Sequence, residues 1–206
     1  MLAFAVEAAR DSGLFGEHVW VSTESELVAE AAWKAGAKVH FRPEYLAHDP
    51  YGICDVALEF LEKHAKYQKF ERLFLLQANS PLILSRDLQA ALKIFEEKGV
   101  EVLMSVSPLE HPAFRAVLEE EGFLKPLFPE MILKKSQELP VTYRVNGAIA
   151  IVKIARFLKT RTYYTYPIAI YKMPRERGVD VDTWFDYVVA KIFLEDEELR
   201  IYLKDF

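Results

Sequence analysis

The sequence predicts an α/β protein built on a doubly wound, mostly parallel sheet. Three observations predict it. Helical and strand-like segments alternate from residue 2 to residue 107. The connections between them are short. The run Leu73-Phe74-Leu75-Leu76 is continuously apolar, as suits a strand covered on both faces.

Each element has its own signal. Leu2 to Ser12 reads as a helix stopped by Gly13. His18 to Val21 is a short β-branched and aromatic strand. Ser25 to Ala35 is helical and closed by Gly36, and Lys38 to Arg42 is a strand. Gly52 to His64 is helical, with Val56, Phe60 and Leu61 among its apolar positions. Arg72 to Gln77 is the apolar strand. Ser85 starts a helix that runs to Lys98 before Gly99, and Val102 to Ser107 is the next strand.

After Ser107 the rhythm changes. Phe114 to Leu118 and Phe123 to Leu127 flank Glu119-Glu120-Glu121-Gly122, a hairpin pattern. Pro126, Pro129 and Pro140 then bracket a stretch without clear periodicity. A long excursion of this kind is usually functional, as a lid or an arm on a partner subunit. Strands resume at Gly147 to Val152 and Pro167 to Lys172. A helix begins near Trp184, and the tail from Glu195 to Phe206 reads as helical. A doubly wound domain commonly opens with a strand and a glycine-rich phosphate turn. This sequence opens in a helix, and no Gly-rich loop follows later.

Bulk properties narrow the class. With 206 residues, of which 51% are hydrophobic, the chain predicts one domain, 1–206, with a substantial core. A net charge of −5 without a basic stripe argues against polymeric nucleic acid as a partner. No segment is apolar enough to span a membrane. One cysteine, Cys54, excludes a disulfide framework and fits a cytoplasmic location.

The most informative stretch is Asp180-Val181-Asp182-Thr183, at the end of a strand and before a helix. In extended backbone, alternate side chains point the same way, so both carboxylates converge. Two hard oxygen ligands suit Mg²⁺, which prefers one or two carboxylates with phosphate oxygens and water. The competing reading is an N-terminal helix cap plus a solvated carboxylate. Gln77 ends the apolar strand, at the ligand-facing edge of a parallel sheet; it either contacts a polar substrate or ties down the next loop. Arg144 and Asn146 share one side of an extended segment, and Gly147 permits close backbone approach. Arg144 binds carboxylate or phosphate, or forms a structural ion pair. Arg42, at another strand end, faces a phosphate or a base. His48 and Asp49 are an acid–base pair or a loop cap.

In this order the pieces resemble the CMP-N-acylneuraminate cytidylyltransferases, or CMP-sialic acid synthetases. The resemblance rests on Val21 to Glu26, Arg42-Pro43 with Leu46-Ala47, and Leu75-Leu76-Gln77 with Ser80-Pro81-Leu82. It continues through Gln137 to Pro140, Tyr143-Arg144 with Asn146 to Ile149, and Val179 to Thr183. It implies a nucleotide-diphospho-sugar-transferase-like fold. It also implies transfer of CMP from CTP to the anomeric hydroxyl of a nine-carbon acidic sugar, with Mg²⁺ and release of pyrophosphate. Asp180 and Asp182 would hold the metal, Gln77, Arg144 and Asn146 would meet the sugar, and Arg42 the nucleotide. Residues 109–137 would form the dimerisation element of a homodimer.

The sequence departs from the family on the nucleotide side. Family members begin with a strand and an Ala-Arg-x-Gly-Ser-Lys loop, and Met1 falls near the start of the helix that follows. The missing strand would lie centrally, so its absence should leave unpaired backbone groups or a gap. Ala78 and Asn79 stand where the family has Pro-Thr, Ile83 where it has Arg, and Tyr51 and Ile53 are bulkier than usual. The alternative implied is a catalytically degraded homologue that binds the sugar or nucleotide sugar.

Overall fold

Local periodicity is realised along the first hundred residues. The computed structural model describes residues 1–205, with side chains through Leu203. The order is α1 (Leu2–Asp11), β1 (Trp20–Thr23), α2 (Glu26–Lys34), β2 (Lys38–Phe41), α3 (Ile53–Lys63), β3 (Arg72–Leu76), α4 (Ser85–Lys98) and β4 (Val102–Pro108). Gly99, at φ 59°, closes α4 in the left-handed conformation that glycine adopts without a Cβ penalty. Strand β1 starts two residues later than its composition suggests. Its ladder with β2 begins only at Trp20, while the His18 ring packs edge-on against Tyr67 and Phe70.

Then come β5 (Val117–Glu120), β6 (Phe123–Pro126), β7 (Tyr143–Lys153), α5 (Ile154–Thr160), β8 (Ala169–Lys172), α6 (Trp184–Glu195) and α7 (Glu197–Asp205). The expected tail helix is therefore α7, and Phe206 lies outside the described residues. Helix α5 carries a signal that the strand pattern before it hides: Ile154, Phe157 and Leu158 fall at helical spacing.

The main sheet has the order β3-β7-β4-β8. Strand β7 is antiparallel to both β3 and β4, and β4 is parallel to β8. Three of its four strands thus share one direction. Side chains of β4 and β7 alternate between two apolar layers. Leu103, Ile149 and Ile151 pack towards α1 and α4, with Ala8, Ala9, Leu88, Ala91 and Phe95. Val102, Met104, Ala150 and Val152 pack towards α3 and α5, with Ala57, Leu58, Leu61 and Phe157. Helices cover the sheet on both faces, as a doubly wound fold requires.

Strands β1 and β2 form a separate parallel pair. Among the described residues, β1 pairs only with β2, and β3 only with β7. A cavity of ≈ 1170 Å³ separates the two edges. It is lined by Val19 to Ser22 on one side and Glu71 to Asn79 on the other, with α1 and α3 residues closing it. This gap corrects one expectation. Strand β3 is half-buried along its whole length, not covered on both faces, because one edge opens onto the slot.

The excursion contains a two-stranded hairpin whose turn residues Glu121 and Gly122 have φ of 52° and 84°, the signs of a type I′ turn. It stands clear of the core and exposes apolar side chains, with Phe123 at 77% and Leu133 at 93%. Among the described residues, no helix is long and apolar enough to cross a membrane.

Candidate active site

The carboxylate segment is delivered by a loop that doubles back over the sheet. From β8 at one edge, residues 173–183 return across the C-terminal end of β4 towards β3. Each step is tied down. The Met173 N–H donates to Val106 O at 2.8 Å. The Arg177 and Gly178 N–H groups both donate to Pro174 O. Gly178 O accepts from Arg144 at 2.8 Å. The Val181 N–H donates to Asn79 O at 2.9 Å, and Asn79 Nδ2 donates to Asp182 Oδ1 at 3.1 Å. Gly178 must be glycine, since an added Cβ would sit 2.0 Å from Ser107 Oγ and 2.9 Å from Asn146 Nδ2.

The helix-cap reading of the two carboxylates is resolved against. Helix α6 is capped by Thr183, whose Oγ1 accepts from the Asp186 N–H. Asp186 in turn accepts from the Thr183 N–H at 2.8 Å and from its hydroxyl at 2.6 Å. Those bonds hold the Asp186 carboxyl below the usual carboxylate range. Asp180 and Asp182 are thereby free of capping.

Their environments differ. Asp182 is exposed, and Asn79 holds one of its oxygens. Asp180 is half-buried, and its Oδ1 is buried without a hydrogen-bond partner. Burial pushes the Asp180 carboxyl above its ordinary value, the neighbouring Asp182 adds to this, and Arg144 pulls the other way. An orphaned buried carboxylate oxygen beside a second carboxylate is a hard, anionic donor set that a divalent cation would satisfy. No cluster of three or more metal-ligating side chains occurs among the described residues. Asp180 and Asp182 therefore stand as two carboxylates lining the same cavity.

Gln77 directly follows β3 and lines the same cavity as Asp180 and Asp182. It lies over the backbone of Gly147, where a Cβ would fall 2.3 Å from Gln77 Oε1. Gly147, at φ 72°, supplies both the conformation and the space. Arg144 is exposed and has one guanidinium nitrogen committed to Gly178 O. Arg42 lines the cavity from the β1–β2 side, where it is paired with Glu24 at 2.7 Å. His48 and Asp49 are both exposed, without the burial that would tune an acid–base pair.

Asn146 is placed differently from its expected role. It shares the Gly178 side of β7 with Arg144, but it is only 1% exposed. Its Oδ1 accepts from Ser105 Oγ at 2.5 Å and from the Ala148 N–H at 3.2 Å. Its Nδ2 donates to Ser107 Oγ at 2.9 Å and to Met173 Sδ at 3.5 Å. These bonds fill the irregularity in the β4–β7 register between Met104 and Val106. The amide is spent on holding strands together, so Asn146 supports the site from within the core instead of facing a ligand.

Two contributors escaped sequence reading. Asn79 clamps the carboxylate loop from the turn after β3, more than a hundred residues away, and nothing local announces that. Thr183 did carry a signal, in Thr183-Trp184-Phe185-Asp186, a capping-box spacing with Asp at the fourth position.

The family model described as "Cytidylyltransferase" matches residues 1–204. The chain is 29% identical over 213 residues to an N-acylneuraminate cytidylyltransferase of Streptococcus agalactiae serotype V, covering 100% of this chain and 51% of that protein. It therefore spans about half the length of that relative. It is 28% identical over 197 residues to a pseudaminic acid cytidylyltransferase of Campylobacter jejuni, covering 93% of this chain and 84% of that one. In fold it is similar to a CMP:2-keto-3-deoxy-manno-octonic acid synthetase solved with CTP. That match has a TM-score of 0.60 at 15% identity, over 94% of this chain and 88% of that chain.

Proposed function

The chain belongs to the cytidylyltransferase family, and on that premise we propose that it transfers CMP from CTP to the anomeric hydroxyl of a sialic-acid-like nonulosonic acid. The observation that carries the reading is the carboxylate pair. Asp180 and Asp182 are released from helix capping, and Asp180 Oδ1 is buried without a partner beside a cavity that also holds Gln77. The printed names of relatives, which concern N-acylneuraminate and pseudaminic acid, support the substrate class.

In this reading the anomeric oxygen forms a bond to the α-phosphorus, the bond from that phosphorus to the bridging oxygen breaks, and pyrophosphate leaves. The hydroxyl proton is lost to water. Asp180 and Asp182 would hold Mg²⁺, which when bound neutralises phosphate charge. Arg144 has guanidinium N–H groups beyond the one held by Gly178 O, and these suit the sugar carboxylate. Gln77 both donates to and accepts from sugar hydroxyls. Arg42, steadied by Glu24, serves the nucleotide side. Catalysis is chiefly positioning and charge neutralisation. The exposed apolar hairpin supports assembly as a homodimer through residues 109–137.

The test is CMP-sugar formation from CTP with N-acetylneuraminate, pseudaminate and legionaminate, with Mg²⁺ present. Absence of product with every acid, at any enzyme level, refutes the reading. A second reading is favoured by the open slot between β1 and β3, which adjoins the site. On it the chain binds the sugar or nucleotide sugar without turnover. Calorimetric binding of CMP-sugar by a protein that releases no pyrophosphate would select it.

A further inference from the structure

Arg177 lies three residues before Asp180 and is only 1% exposed. Its Nη2 donates to Asp87 Oδ1 at 2.8 Å, at the first turn of α4. The same carboxylate oxygen accepts the Tyr171 hydroxyl at 2.7 Å, and Oδ2 accepts the Leu84 N–H at 2.9 Å. Asp87 is fully buried, so one anion serves three donors from α4, β8 and the loop. The other terminal nitrogen of Arg177 donates to Leu203 O at 3.0 Å. Arg86 donates to that same carbonyl at 3.0 Å.

Leu203 belongs to α7, and its carbonyl is the shared acceptor. Two guanidinium groups thus converge on that carbonyl, and Arg177 also holds the buried Asp87 carboxylate. Without α7, the buried Arg177 cation would lose this acceptor, and its Nε has no partner among the described residues. The strain would pass along a short, stiff path. Gly178, next to Arg177, is wedged against Ser107 and Asn146, and two residues later comes Asp180.

The geometry points to α7 as a positioning element for the carboxylate pair: docking of the Leu203 carbonyl on Arg177 and Arg86 fixes the loop that carries Asp180 and Asp182. The loop docking itself does not depend on the proposed CMP transfer, and only the metal readout below rests on that reading. The direct readout is the Val181 amide, which donates to Asn79 O when the carboxylate segment is seated.

The experiment compares the full chain, a chain ending at Asp196, and Arg177→Lys, whose single ammonium cannot span Asp87 and Leu203 O together. Hydrogen exchange by residue is measured without metal, and Mg²⁺ affinity by calorimetry. Losing a charge-assisted bond predicts about tenfold to a hundredfold faster exchange at Val181 in both variants, with β4 and β7 amides still protected. Mg²⁺ binding weakens in parallel. Unchanged Val181 exchange in Arg177→Lys overturns the proposal, as does a general loss of protection with no excess at Val181. If the shortened chain does not fold, Arg177→Lys alone decides. A wild-type protein that binds no Mg²⁺ would count against the proposed function and leave the exchange result to judge α7.

Discussion

Replacing Asn146 by alanine separates two roles that the sequence cannot distinguish. Asn146 is buried and makes three bonds to oxygen or backbone nitrogen, with Ser105, Ser107 and the Ala148 N–H. A net ~1 kcal/mol for each neutral hydrogen bond gives about 3 kcal/mol of destabilisation. For a chain of this size each kcal/mol lowers Tm by roughly 2–4 °C, so the expected drop is about 6–12 °C. The assay is a calorimetric melt of both proteins, combined with the KM for the acidic sugar at a temperature where both are folded. The structure predicts a large fall in Tm, with loss of activity following the folded fraction. A melt within about 2 °C of wild type, with a strongly raised sugar KM, would refute the reasoning and return Asn146 to the ligand side.

Three further outcomes follow from the site and the sheet. Asp180 is raised by burial and by Asp182, so the folded protein binds that proton more tightly than the unfolded chain does. Metal-free stability from this group is therefore present below the ordinary carboxylate range and is lost as pH rises through the raised value. Mg²⁺ binding needs the ionised form and strengthens over the same rise. Asp180→Asn should then raise the metal-free Tm at neutral pH and abolish stabilisation by Mg²⁺, and a lowered Tm with an intact Mg²⁺ response would contradict this. Gly147→Ala forces a side chain into φ 72° and displaces Gln77. It should cost about 1–2 kcal/mol in a melt and raise the sugar KM, whereas an unchanged KM would remove Gln77 from the sugar contact. Finally, amides of β1 and β3 that face the slot should exchange at least about a hundredfold faster than those of β4 and β7, and equal protection would show that the two edges are closed in solution.

Much of the architecture was legible because its causes are local. Helices α1, α2 and α4 announced themselves with glycine stops and α3 by its apolar positions, and β4 and β7 by apolar runs. The hairpin followed from two apolar runs flanking Glu119-Glu120-Glu121-Gly122, although the structure turns more tightly, at Glu121-Gly122 alone. The proximity of Asp180 and Asp182 followed from their alternate spacing, although both lie on the loop after β8 and not in a strand, and the position of Gln77 followed from the end of an apolar run. Other features have no local cause. Asn146 and Arg144 occupy equivalent positions two residues apart, yet only Arg144 remains accessible. Which of them is buried depends on how β7 sits against Ser105 and Ser107. The half-exposure of β3 likewise arises from a neighbour that it does not pair with.

By itself the sequence determined the alternation of elements, the family resemblance and the identity of the carboxylate pair. Each of these is written in short stretches of adjacent residues, or in the order of such stretches along the chain. Only the tertiary structure decided that Asp180 has a buried, unpartnered oxygen, that Thr183 does the capping, and that an open slot separates β1 from β3. The reason is separation along the chain. Asn79 holds Asp182 across 103 residues, and Arg177 meets Asp87 across 90. Contacts of that range are set by how helices and strands pack, which no local pattern encodes.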